Sequence, residues 1–275
     1  QVDLLLAACN VGRPVCEGPF FSMHEVYHTA LKNKFLDKAA AYGLSKETLK
    51  YNGFEIQYKN DFKITALDYV LALTAHLGRR RTDSDCSLSI FHSALDALHP
   101  QYEEGIKQLK SAIERAKALA VKVVEEGGLL VTRRQVQGGK HDPCWYLDLS
   151  SMTFQSSQDF HHHSTLVRLA LFVRDAWTQR VKTPQSLVVI GPPDAQDMCH
   201  VVSVRKSQQA GQLQNNPLAI PFQEVLAEHT NDEVSQATFD NTIYTIKRAH
   251  VYTFVEELRA LIKSYNEGGD MMGVL

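Results

Sequence analysis

Leu187-Val188-Val189-Ile190-Gly191-Pro192-Pro193 is a short aliphatic run halted by a glycine and two prolines. It has the pattern of a strand closed by a turn at Gly191-Pro192-Pro193-Asp194. Strand and helix signals alternate on either side of it. Upstream lie a strand at Cys144-Trp145-Tyr146-Leu147-Asp148-Leu149 and a helix capped by Ser164 or Thr165, with Leu166, Leu169, Ala170, Val173, Ala176 and Trp177 on one face. Downstream come a strand at Val201-Val202-Ser203-Val204 and a helix after Pro217 with Leu218, Phe222, Val225 and Leu226. A strand from Phe239 to Ile246 and a last helix with Val251, Phe254, Val255, Leu258, Leu261 and Ile262 follow. With Leu129-Leu130-Val131-Thr132 as a further strand, the reading is an α/β fold whose central, mostly sequential sheet of about five strands is covered by helices.

The chain in front of this sheet reads as helical. From Gln101 to Glu126, Ile106, Leu109, Ile113, Ala116, Ala120 and Val123 step alternately by three and four residues, one narrow apolar seam. This suits a helix packed within the domain better than a dimeric coiled coil, which needs a longer run, and Gly127-Gly128 is expected to end it. Further upstream, Ser22-Met23-His24-Glu25 spells a capping box for a helix running to Ala41 and stopped by Gly43. Phe54-Glu55-Ile56-Gln57-Tyr58 alternates as a strand, and Asp61 is placed to cap a helix with Ile64, Leu67, Val70, Leu71 and Leu77 up to Gly78. Leu88 to Leu98 makes another helix, and the Gly- and Arg-rich break from Gly78 to Ser87 marks a soft domain boundary. The tail from Gly268 is expected to fray.

The chain has 275 residues, 29 Lys+Arg against 31 Asp+Glu, and 44% hydrophobic residues, which is globular composition with a net charge of only -2. No global field draws it to phosphate, so nucleic-acid contact would have to come from a local patch. Cys9, Cys16, Cys86, Cys144 and Cys199 are scattered and odd in number, which argues against a disulfide framework and for a reducing compartment. Ile64 to Leu77 is too short to span a bilayer. No charged-then-apolar leader precedes Leu4, and the chain opens on Gln1 inside what already reads as structure, as the back part of a longer protein would.

Chemistry is hard to anchor. Asp159-Phe160-His161-His162-His163 offers metal-ligand types, but consecutive residues diverge on a helix and alternate on a strand, so the segment reads as a solvated loop. His141 with Cys144, and Cys199 with His200, lack further ligands at sensible spacing. Neither Gly-x-x-x-x-Gly-Lys-Ser/Thr nor Gly-x-Gly-x-x-Gly occurs, and Gly191 to Asp194 has too few free amides for a phosphate cradle. Gly138-Gly139-Lys140-His141 reads as a hairpin connection with a weaker alternative as a phosphate contact. The basic clusters are Arg79-Arg80-Arg81, Arg133-Arg134 and Arg205-Lys206; the first is followed by Asp83 and Asp85 and reads as surface, with DNA or an acidic partner as the functional alternative.

Taken in order, the segments resemble the carboxy-terminal half of the cell division control protein 45 family, inactive relatives of RecJ-type DHH phosphoesterases. The likeness runs from Leu5-Leu6-Ala7-Ala8 through Gly12-Arg13-Pro14-Val15 and Phe21-Ser22-Met23 to Lys34-Phe35 and Tyr42-Gly43-Leu44. It continues in Lys63-Ile64-Thr65-Ala66-Leu67-Asp68, Phe91-His92-Ser93-Ala94-Leu95-Asp96-Ala97-Leu98 and the strands at Cys144 and Leu187. Asn216-Pro217, Phe222-Gln223, Thr238-Phe239-Asp240 and Phe254-Val255-Glu256-Glu257-Leu258 are similar to the family's close. The matches are mostly of fold spacing, so their order and number carry the specificity.

The resemblance implies a noncatalytic subunit of the CMG replicative helicase in the nucleus, bridging the MCM ring and GINS, with single-stranded DNA as a further candidate ligand and no cofactor or membrane role. It implies that residues 1–99 resemble the end of the family's helical CMG-interaction insert and residues 100–275 its DHH-associated domain. The metal-binding motifs of active DHH enzymes belong to the amino-terminal half, and their Gly-Gly-Gly-His type substrate motif is not matched by Gly138 to His141, so no catalytic, cofactor or metal residue is carried over. Arg79, Arg80 and Arg81 are the candidate partner or DNA contacts. The competing reading is the accessory half of an active DHH-type single-strand nuclease or phosphoesterase; an isolated metal module around His161 to His163 is a third.

Overall fold

A computed structural model describes residues 6, 8, 9, 11, 15, 24–42, 55–57, 63–78, 87–99, 102–139, 142–151, 157–206, 218–228, 234–236 and 240–268. The chain forms two compact units, Gln1–Phe54 with Gln208–Leu213, and Glu55–Ser207 with Gln214–Leu275. In the first, helix α1 (Glu25–Ala39) continues into a 3-10 turn (Ala40–Tyr42), and Cys9, Val11, Leu31 and Ala39 make a small core. Its cap is His24, whose side chain accepts the Val26 amide, so the box expected from Ser22 and Glu25 does not start this helix; Ser22 and Gly43 lie outside the described residues.

The second unit opens with an antiparallel ribbon of β1 (Glu55–Gln57) and β2 (Lys63–Thr65), Ile56 opposite Ile64. Helix α2 (Ala66–Leu77) springs directly from β2, because Thr65 and Asp68 form a reciprocal cap: Thr65 Oγ1 accepts the Asp68 amide at 3.2 Å and Asp68 Oδ2 accepts the Thr65 amide at 2.9 Å. Asp61 is therefore not the cap, and Ile64 belongs to a strand. Helices α2 and α3 (Ser87–Ala97) pack on α4 (Glu103–Thr132), with Ile64, Tyr69, Ala72, Ala97, Leu109 and Ala112 in one core and Ala75, Ala116 and Leu119 in the next. By packing, the compact body starts at Glu55 and takes α2 and α3 with it.

Helix α4 passes through Gly127-Gly128 and absorbs Leu129–Thr132, which sequence assigned to a strand. Gly127 is a contact glycine rather than a stop. Helix α5 (His163–Val181) crosses there, and a Cβ on Gly127 would overlap the Phe172 ring, whose Cε1 lies 2.8 Å from its ideal position. The helix ends only at Arg133, followed by Arg134 in the left-handed region at φ 57.

The five-stranded sheet contains β3 (Trp145–Asp148), β4 (Leu187–Pro193), β5 (Met198–Val204), β6 (Val234–Gln236) and β7 (Ile243–Lys247), in the order β3-β4-β5-β7-β6. Strands β3 and β4 are parallel and joined through α5, whereas the other pairs are antiparallel. The α/β class and the strand number agree with the sequence reading, although β6 takes the place of Leu129–Thr132. Strand β4 also continues through Gly191 to Pro193 where a turn was expected; the turn is Asp194–Asp197, with Asp194 Oδ1 accepting the amides of Gln196 and Met198. The prolines are tolerated because β3 pairing ends at Ile190, and the register with β5 shifts between Ile190 and Pro193, where the chain lacks two amide donors.

Helices α6 (Ala219–Ala227) and α7 (Val251–Gly268) cover one face, burying Tyr146, Val188, Ile190, Cys199, Val201, Tyr244 and Ile246 against Phe222, Val225, Phe254, Leu258 and Ile262. Burial of each large apolar side chain contributes roughly 1.5–3 kcal/mol. Residues one step along the strands, such as Val189 and Val202, face α5 with its buried Leu166, Leu169, Ala170 and Val173. Helix α4 lies behind α5, and Arg174 of α5 ties it to the end of β5 by donating to the Arg205 carbonyl at 2.7 Å while pairing with Asp175. No described helix is long and apolar enough to cross a membrane.

Candidate functional site

Alternation along β5 sends Cys199 into the α6/α7 core and His200 to the opposite face, where the first turn of α5 arrives. His162 is the cap of α5: its Nδ1 accepts the Ser164 amide at 3.3 Å and lies 2.8 Å from the Ser164 hydroxyl, so neither Ser164 nor Thr165 is the cap. The His163 ring lies 4.2 Å from that of His162 and, edge-on, 5.7 Å from that of His200. His200 Nδ1 in turn meets Thr245 Oγ1 on β7 at 3.0 Å. The segment expected to be a solvated loop is thus half-buried, with its preceding Asp159 paired to Lys122 of α4.

Burial first, and then the nearby rings, push His162 and His200 down to about 4, and burial lowers His163 as well. At neutral pH these imidazoles are uncharged, and His162 serves as acceptor and cap. Among the described residues, no group of three or more His, Cys, Asp or Glu is placed to hold a metal ion.

The remaining candidates are built into structure. Burial raises the thiols of Cys144 and Cys199 to about 12, the opposite of what a nucleophile or metal ligand requires. His141 lies outside the described residues. Gly138, at φ 105, closes the connection in which Gln137 and Tyr146 exchange backbone hydrogen bonds, and the Gly139 amide is taken by Asp142 Oδ2 at 2.5 Å. A carboxylate occupies the donor that a phosphate would need. Arg79, Arg80 and Arg81 lie outside the described residues; the chain enters them from Gly78 at the rim of a cleft of about 340 Å³ lined by Glu114, Arg115, Lys122, Asp159 and Thr165.

What sequence reasoning missed is an apolar exterior. Helix α2 buries Tyr69, Ala72, Ala75 and His76 and turns Leu67, Val70 and Leu77 outward, the residues the helical spacing had assigned to its core face. Helix α3 does likewise: Ile90, Ala94 and Ala97 are buried, while Leu88 (63% exposed), Phe91 (55%), Leu95 and Leu98 step by three and four along the outer side. Small residues win the inner face because they let both helices approach α4 closely. The outer stripes are larger than a scattered surface leucine would explain.

A family model described as CDC45 matches residues 1–261. Cell division control protein 45 homolog of Dictyostelium discoideum is 22% identical over 270 residues, covering 96% of this chain and 40% of the relative. The crystal structure of CDC45 from Entamoeba histolytica shares the fold with a TM-score of 0.55 at 17% identity, over 95% of this chain and 50% of that one. The chain therefore spans half or less of the length of these relatives. With nearly all of its residues inside the family match and its fold repeated in a solved member, the chain belongs to the CDC45 family.

Proposed function

We propose that this chain is the carboxy-terminal part of a DNA replication factor of the cell cycle that acts in the nucleus as a noncatalytic scaffold of the CMG helicase, bridging the MCM ring and GINS. The family match over residues 1–261 carries the reading. The chemistry supports it: the thiols of Cys144 and Cys199 are raised by burial, His162 serves as a helix cap with His163 and His200 packed beside it, and the Gly138-Gly139 connection is closed by Asp142. Residues 1–99 correspond in this reading to the end of the helical CMG-interaction insert and residues 100–275 to the DHH-associated domain. The outer faces of α2 and α3 are the surfaces best suited to protein contact, with Arg79, Arg80 and Arg81 on the connection between them.

Pull-down of the full-length protein with purified MCM and GINS subunits tests the proposal. Association is expected, and it should weaken when Leu88, Phe91 and Leu95 are replaced together by serine in a protein that still melts cooperatively. Absence of association would overturn the scaffold reading. Robust manganese-dependent cleavage of single-stranded DNA by the full-length protein would replace it with the nuclease one.

A further inference from the structure

Three imidazoles meet where α5 joins the sheet, and the contact that His162 makes suits only its neutral form. Nδ1 of His162 accepts from the Ser164 amide and lies 2.8 Å from its hydroxyl, so a proton on that nitrogen would remove the helix cap. His163 stands between His162 and His200, with ring centres at 4.2 and 5.7 Å, so a second charge in the cluster would face the first at close range. The amino-terminal end of α5 adds its own positive potential to His162 and His163.

Among the described residues, two carboxylates oppose such charges without cancelling the effect of burial. Asp194, in the turn before β5, faces His200, but its Oδ1 is held by the amides of Gln196 and Met198 at 2.8 and 2.9 Å. Asp240, before β7, faces His163, but its Oδ1 is held by the amide and hydroxyl of Thr242 at 2.9 and 2.6 Å. His161 adds a further imidazole toward His200, and β7 offers His200 only the Thr245 hydroxyl and a backbone contact at Tyr244. From α4, Lys122 is a cation engaged by Asp159. From α2, Gly78 abuts the cap, 3.3 Å from His162 Nδ1 to the position of a Cβ.

We propose that His162, His163 and His200 form an acid-sensitive latch, which holds the first turn of α5 on the sheet while the three rings are uncharged and releases it when they take up protons. The opened segment binds protons more tightly than the closed one, so closure is complete above about pH 6.5 and weakens as pH falls toward 4. His162 and His200 together should raise the opening constant roughly fiftyfold between pH 6 and pH 5, because each takes up nearly one proton per opening in that range. His163 acts in the same direction.

The test is native-state hydrogen exchange of the amides of Thr165 and Leu166, both bonded to the His162 carbonyl, expressed relative to intrinsic rates across pH 6.5 to 4.5. The wild-type protein should lose protection at about the stated steepness, and His200→Gln should reduce the change between pH 6 and 5 to roughly sevenfold. A purely structural role for His200 would lower protection by one factor at every pH and leave the steepness unchanged, which would overturn the proposal. Imidazole proton titration of the wild-type protein by NMR gives a readout without any variant: cluster rings that titrate near 6.5 would also overturn it.

Discussion

Replacing Gly127 and Gly128 by alanine, one at a time, separates packing from backbone propensity at adjacent positions of α4. Alanine favours a helix interior over glycine by about 1 kcal/mol at either position. At Gly128 nothing lies within 4 Å of the new methyl, so Gly128→Ala should stabilise by about 0.5–1 kcal/mol. At Gly127 the methyl meets the Phe172 ring, with Cε1 at 2.8 Å and Leu169 Cδ1 at 3.5 Å. Phe172 is 8% exposed and Leu169 fully buried, so the ring can yield only by pushing α5 away from α4. Overpacking of this kind costs about 1–3 kcal/mol, enough to cancel or exceed the helical gain. The two variants should therefore differ by roughly 1–3 kcal/mol, with Gly127→Ala the less stable. Urea unfolding followed by circular dichroism measures both, and Phe172→Leu in the Gly127→Ala background should recover part of the loss in a double-mutant cycle. If Gly127→Ala stabilises as much as Gly128→Ala, α4 and α5 do not touch at this crossing and the reasoning fails.

Arg174→Ala should cost about 3–5 kcal/mol by thermal melting, since it strands Asp175 at 12% side-chain exposure, and adding Asp175→Asn should return part of it. Thr65→Ala removes one arm of the cap that starts α2 and should cost about 1 kcal/mol in urea unfolding, whereas Thr65→Ser should be nearly neutral. At pH 8, iodoacetamide should leave Cys144 and Cys199 unlabelled in the native protein and label both in denaturant, read by peptide mass spectrometry; native labelling within minutes would contradict their burial.

The sequence was most legible where apolar residues are large and face one way. The strands at Cys144, Leu187 and Val201 and the helices after Ser164, Pro217 and Val251 fall close to where the pattern put them. It misled at glycines and alanines, whose meaning depends on the neighbour. Gly127 looked like a stop because local propensity disfavours it in a helix, while the Phe172 contact that requires it sits 45 residues downstream. The alanine face of α2 was overlooked because hydrophobic periodicity weights bulk, and the three-residue β6 is too short to show any period. At the histidines, a two-position shift and a long-range partner mattered. His162 rather than Ser164 caps α5, and the partner of the cluster is His200, placed by sheet register that no local spacing reveals.

The single parallel pair in the sheet has a consequence for the order in which the domain is assembled during synthesis. Strand β3 leaves the ribosome well before Leu187, the first residue of the neighbour it needs, and meanwhile its only described bridge is the one between Gln137 and Tyr146. The β4–β5 hairpin, by contrast, closes over a four-residue turn as soon as it is made. A transcript shortened between the codons for Asp148 and Leu187 would therefore release a chain with an open apolar strand, prone to aggregate rather than to settle as a smaller version of the domain.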